Sequence, residues 1–132
     1  WAHESLVMDQ WFMIQASAPV SGVVARINQL IGHPDYDTTR PNRVRAVLGQ
    51  FANANPVGFH QADGSGYQLL CDQVAKLDVT NPQLACRSLG ALSIWPHLDD
   101  VRREAACRAL RSIDQALISA DLGETLGRLL LA

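Results

Sequence analysis

The residues most able to do chemistry stand together between His60 and Tyr67, in the order HQADGSGY. Ser65 lies between two glycines, with Asp63 before it and His60 close by. Such a stretch could hold calcium, cradle phosphate, carry a serine nucleophile or start a helix. A calcium loop with Asp63 at its fifth position needs acids or amides at positions 59 and 61 and a glutamate at 70. Phe59 and Leu70 fail that pattern, and only Gln61 is polar. A nucleophile elbow needs Gly-x-Ser-x-Gly, but Asp63 and Tyr67 occupy the two glycine positions. A dinucleotide fingerprint needs a third glycine where Leu69 stands, and a phosphate loop of the Walker kind lacks its lysine. What remains is structural: Asp63 or Ser65 caps a helix over 66–77, and the glycines permit a tight turn into it.

His3-Glu4 at the front begins a zinc-protease motif and does not complete it. His-Glu-x-x-His places two imidazoles one helical turn apart on a metal, with the glutamate activating its water. Position 7 is Val7, so His3 reads as a surface residue. His33, His60 and His97 are far apart in sequence and have no cysteine or carboxylate at catalytic spacing. Cys71, Cys86 and Cys107 match no zinc-ligand spacing and sit in apolar surroundings, as small buried thiols of a reducing compartment would. The expected catalytic residues are none, and the expected metal ligands are none.

The elements that carry these residues are helices. The chain has 132 residues, 48 % hydrophobic and 18 % charged, which suits one globular domain with a real core. Its net charge of −2 comes from ten arginines and Lys76, all spread among acids. That leaves little field to concentrate nucleic acid or anionic lipid, and neither partner is expected. No apolar run approaches the ~20 residues of a membrane span.

Apolar residues recur at helical spacing through Val20–Ile31, Val44–Phe51, Tyr67–Leu77 and Leu122–Leu130. Val101, Ala105, Ala109, Ile113 and Leu117 line one face of a further segment, with Glu104 and Arg108 paired on its outer side. Pro41 opens one helix, and Asn81-Pro82 caps and opens another that runs to about Trp95-Pro96. Ser119 precedes the last helix, while Pro19 or Ser21 starts the one before Ile31. LVMDQWFMIQA is apolar nearly all round, as in a helix packed on several sides, and starts without a cap, as if continuing something longer.

Setting Pro41 on Pro82 aligns Leu48-Gly49 with Leu89-Gly90 at an offset near that of helix-pair repeats. The expected architecture is all-α: an armadillo/HEAT-like superhelix of about seven stacked antiparallel helices, with residues 1–132 as a single domain.

Three blocks, LVMDQWFMIQA, RPNRVRAVLGQFANANPVGFHQADGSGY and NPQLACRSL, keep their order and spacing. Together they resemble the C-terminal helical domain of bacterial aminopeptidase N, a gluzincin-type zinc aminopeptidase. The resemblance implies a parent enzyme, cytoplasmic and active in peptide catabolism, that releases N-terminal residues from peptides. Its zinc would be held in a separate catalytic domain, with no cofactor in this chain. This domain would enclose the substrate cleft, its partners being the remaining domains of the same polypeptide and the peptide substrate. By the same resemblance Arg45, Gln83 and Arg87 line that cleft, where guanidinium groups can hold peptide carbonyls or a terminal carboxylate. The alternative is a free-standing helical-repeat module that binds a protein partner. An exposed apolar face around Leu6, Trp11 and Ile14 would favour the fragment of a larger enzyme.

Overall fold

Pro41 and Pro82 each occupy the first turn of a helix, where the missing N–H costs nothing. The computed structural model describes residues 2–18 and 22–131, the side chains at 2, 3 and 5 excepted. It is all-α, with no strand among the described residues. The segments are α1 (Ala2–Ser17), α2 (Val23–Ile31), α3 (Pro41–Val44), α4 (Gln50–Ala54), α5 (Pro56–Phe59), α6 (Ser65–Asp78), α7 (Pro82–Leu89), α8 (Asp100–Arg111) and α9 (Ala120–Leu130). A π turn over Arg45–Gly49 joins α3 to α4, so these run as one helix. The described residues thus form eight helices, against about seven expected. The addition is α5, a single turn started by Pro56.

The chain divides into two compact units, Trp1–Phe59 and His60–Ala132. In the first, Phe12, Ile27, Val44, Val47, Phe51 and Phe59 are fully buried. Phe51 meets Phe59 edge to face, with ring centroids 5.6 Å apart. Buried Asn55 stands just beyond α4 and donates from Nδ2 to the carbonyls of Ala16 and Ala18, at 3.0 and 3.1 Å. Its Oδ1 accepts from the Gly58 N–H. One amide therefore satisfies carbonyls at the end of α1 and a donor of α5 that would otherwise be buried unpaired. A Cβ on Gly58 would lie 2.3 Å from Val23 Cγ1, so only glycine lets α5 pack this closely on α2.

Among the described side chains of α1, Phe12 and Ala16 are enclosed while Leu6, Val7, Trp11, Met13 and Ile14 remain exposed, so within this chain they pack on one side and the face around Leu6, Trp11 and Ile14 is bare. The expected helix start at Pro19 or Ser21, and Val20 of its apolar stripe, lie outside the described residues. So does the side chain of His3.

In the second unit Tyr67, Leu70, Cys71, Val74 and Leu77 make the inner stripe of α6. Leu84 and Leu89 of α7, Ala105, Ala109 and Leu110 of α8, and Leu122 and Leu126 of α9 supply the other buried faces. Three helices start on side-chain caps: Asn81 accepts from Leu84 N, Asp99 from Arg102 N and Ser119 from Leu122 N. Asp78, buried at the end of α6, accepts from both the N–H and the hydroxyl of Ser119, at 2.7 and 2.6 Å.

Two boundaries are corrected. α7 ends at Leu89 and passes into short 3-10 turns at Gly90–Leu92 and Trp95–His97. Trp95 is kept nearly buried by an indole N–H donated to the Leu129 carbonyl at 2.8 Å. α8 ends at Arg111, so its register cannot carry the expected face to Leu117, which is 79 % exposed. Val101, in the first turn after the Asp99 cap, also points outward. The ion pairs of α8 are Arg102–Asp99 and Arg103–Asp100, not Glu104–Arg108. In α9, Leu129 and Leu130 are only partly enclosed. Of the three free thiols only Cys71 is fully buried, and burial pushes it up to about 12.

Candidate functional site

Arg45 begins the π turn and is exposed, with one guanidinium N–H donated to Asn42 Oδ1 at 2.7 Å. A π turn interrupts the regular hydrogen-bond ladder and recurs where a side chain must be re-aimed. Here it sets Arg45 at the edge of a cavity of about 300 Å3 that Leu6, Gln10, Met13 and Gln50 also line. No carboxylate among the described residues pairs with it.

Arg43, two positions earlier, is buried. Its Nε donates to Asp9 Oδ1 at 2.7 Å, another N–H reaches the Asp35 carbonyl, and its guanidinium carbon sits 5.3 Å from the Phe12 ring centre. Sequence reasoning passed over this ion pair. The available signal was periodicity, because Arg43 shares the face of Val47, four residues on.

Gln83 and Arg87 are both exposed and lie four residues apart on α7. At that spacing they are neighbours on one face, while Leu84, Ala85 and Leu89 turn into the core. An amide and a guanidinium one turn apart can grip a carbonyl or carboxylate from two directions. The structure thus brings Gln83 and Arg87 together, while Arg45 belongs to the first unit.

The HQADGSGY stretch is architecture. Gly64 is the residue before α6 and is held in the left-handed region at φ 76 degrees. A Cβ on Gly64 would lie 2.8 Å from Ala105 Cβ, so both the turn and its approach to α8 require glycine. Asp63 accepts from the Ser65 N–H at 2.9 Å and from its hydroxyl at 2.7 Å. Those bonds hold the Asp63 carboxyl below the usual carboxylate range. Asp63 therefore secures the first helical N–H, while Ser65 lies inside the helix and is not its cap.

His60 Nδ1 and the Tyr67 hydroxyl are 2.7 Å apart, and Arg102 Nε donates to the His60 carbonyl at 2.6 Å while pairing with Asp99. Burial, and then the Arg102 charge, push the His60 imidazole below its ordinary value. Burial raises the Tyr67 phenol. Ser65 is thus turned to Asp63, and His60 to Tyr67, which is not a nucleophile–base arrangement. No group of three or more His, Cys, Asp or Glu side chains among the described residues could hold a metal.

Helices with no strand among the described residues define an all-α protein. Residues 1–131 match the family described as "Domain of unknown function (DUF3458_C) ARM repeats", and the chain belongs to that family. It is 38 % identical to aminopeptidase N of Haemophilus influenzae over 98 % of this chain and 15 % of that protein. Against aminopeptidase N of Escherichia coli K12 the identity is 36 %, again over 98 % and 15 %. The Caulobacter vibrioides aminopeptidase N is 41 % identical over 78 % of this chain and 12 % of its own length. A crystal structure of Legionella pneumophila aminopeptidase A in complex with aspartic acid superposes with a TM-score of 0.86 at 35 % identity, covering 93 % of this chain and 14 % of that one. These matches bear out the resemblance to aminopeptidase N. The chain spans about one seventh of the length of the relatives it matches.

Proposed function

We propose that this chain is the C-terminal helical domain of a zinc-dependent aminopeptidase, acting as one closing wall of the substrate chamber. The observation that carries this reading is its similarity to aminopeptidase N over 98 % of its own length and 15 % of theirs. The chemistry would reside elsewhere in the polypeptide, where zinc would polarise the scissile carbonyl and activate water. Among the described residues of this chain no donor set fits that ion.

The contribution of this chain is to bind and to exclude. Arg45, Gln83 and Arg87 would face the cleft and hold the peptide beyond the cleaved bond, or water bound there. A guanidinium gives paired hydrogen bonds to a carboxylate and single ones to carbonyls, so it suits a short peptide whose far end is charged. A wall over the cleft would admit small peptides and reject folded chains. The parent enzyme would be cytoplasmic and serve peptide catabolism, with no nucleic-acid or membrane partner. No described helix is long and apolar enough to cross a membrane.

Purified, the 132-residue chain should bind no stoichiometric zinc and cleave no aminoacyl reporter, whereas the full polypeptide should do both. Zinc-dependent turnover by the chain alone would sink the reading. So would a full polypeptide without aminopeptidase activity, which would leave an interaction module in its place.

A further inference from the structure

Arg40, Arg43, Arg102 and Arg103 each stand on a carboxylate, that of Asp37, Asp9, Asp99 and Asp100 respectively. Arg45 does not. Its guanidinium donates to Asn42 Oδ1 at 2.7 Å, and no carboxylate among the described residues pairs with it. Asp9 lines the same cavity of about 300 Å3, but its Oδ1 is held by the Nε of buried Arg43 at 2.7 Å. An amide oxygen accepts from a guanidinium and orients it, yet brings no countercharge. A carboxylate would do both. The cavity therefore keeps one directed, uncancelled positive charge, with Gln10 and Gln50 as neutral polar neighbours and Leu6 and Met13 as apolar ones.

Asn42 is exposed at the second position of α3, which runs with the π turn as one helix. Residues three apart on a helix surface are neighbours, so the backbone sets the amide beside the guanidinium. A long side chain fixed before a ligand arrives loses less freedom on binding it. We infer that Asn42 is a positioning residue for Arg45, aiming its guanidinium without cancelling its charge, and that the pair thereby selects peptides ending in a free carboxylate. The inference rests on the cleft role proposed above for Arg45. It adds the group that aims the guanidinium and the reason that group is an amide. A free acid offers two oxygens and a charge, whereas a C-terminal amide offers one neutral oxygen, so an uncancelled guanidinium favours the acid. With a carboxylate at position 42 the guanidinium would be closed in an ion pair, and an arriving acid would meet a like charge.

The test is the ratio of kcat/KM for a tripeptide to that for its C-terminal amide, measured on the full-length enzyme and its variants. Asn42→Asp keeps the size and the acceptor. It adds negative charge near a helix start, where that sign stabilises the fold, so the variant should fold. It should lower the ratio about tenfold, through KM and not kcat. Asn42→Ala should lower the ratio about threefold, and no further once Arg45 is already alanine. A ratio that does not move in Asn42→Asp, whether or not both substrates slow, would overturn the inference. So would a wild-type enzyme with no preference for the acid. A loss from Asn42→Ala that persists in the Arg45→Ala background would overturn it too, since Asn42 would then act apart from the guanidinium. A wild-type polypeptide that cleaves neither peptide would overturn the aminopeptidase reading and this one with it, a result distinct from an active enzyme whose ratio stays fixed.

Discussion

Arg43 and Arg45 stand two positions apart and have opposite surroundings. Arg43 spends its donors on Asp9 and Asp35, while Arg45 keeps most of its fork toward solvent. Arg87 is also exposed, next to Gln83. If these groups hold the peptide beyond the cleaved bond, Arg87→Ala in the full enzyme should lower kcat/KM for tripeptides by about tenfold. A single-residue aminoacyl reporter should change by less than about twofold, and equal losses on both substrates would remove the role. A second residue-scale prediction concerns His60. Its imidazole titrates below the ordinary 6.5 when folded, because burial and Arg102 oppose its charge. The unfolded chain then binds the proton more readily, so this contribution to stability is full above the unfolded value. It is lost as pH falls from there through the lower folded value. NMR titration of His60 should give a midpoint under 6.5, and His60→Gln should flatten the acid side of the stability profile.

Helix starts differ in how much they hold. Asn81 caps α7 with a single bond, and Asn81→Ala should cost about 1 kcal/mol in denaturant unfolding. Ser119 caps α9 and also gives its hydroxyl to buried Asp78. Ser119→Ala loses the cap and leaves that carboxylate short of a donor, so about 2–3 kcal/mol is expected. Equal costs at the two positions would mean that the Asp78 bond adds nothing. Gly64→Ala forces an alanine into a left-handed backbone against Ala105, and about 1–3 kcal/mol should be lost. These starts were largely legible beforehand, because caps and prolines act within one turn of chain. The ends of α7 and α8 were not. A helix stops where packing stops rewarding it, as where Trp95 reaches across to Leu129, and that partner is 34 residues away.

For the whole polypeptide, the division of labour predicts what chelation does. Removing zinc from the full enzyme should abolish reporter cleavage. Protection of the α6–α9 amides from hydrogen exchange should be unchanged, since no described side chains here form a metal site. Loss of that protection with the metal would place a structural ion in this part of the chain.

Helical periodicity, the Asn81 and Ser119 helix starts and two opening prolines determined an all-α chain, because each acts through neighbours within a few residues. The failure of every catalytic spacing pointed away from a self-contained active site for the same local reason. The ordered blocks around DGSG carried the family resemblance. Only the tertiary structure decided which apolar residues are inside. The sequence of α1 is apolar nearly all round, and nothing local tells Phe12 from Ile14. His33, Tyr36 and Arg43 close over Phe12, and Ile14 is left bare. Tertiary packing likewise made Arg43 a buried ion pair and left Arg45 outside, because Asp9 reaches Arg43 from 34 residues away. Burial is a property of what lies across the fold, and local spacing cannot supply it.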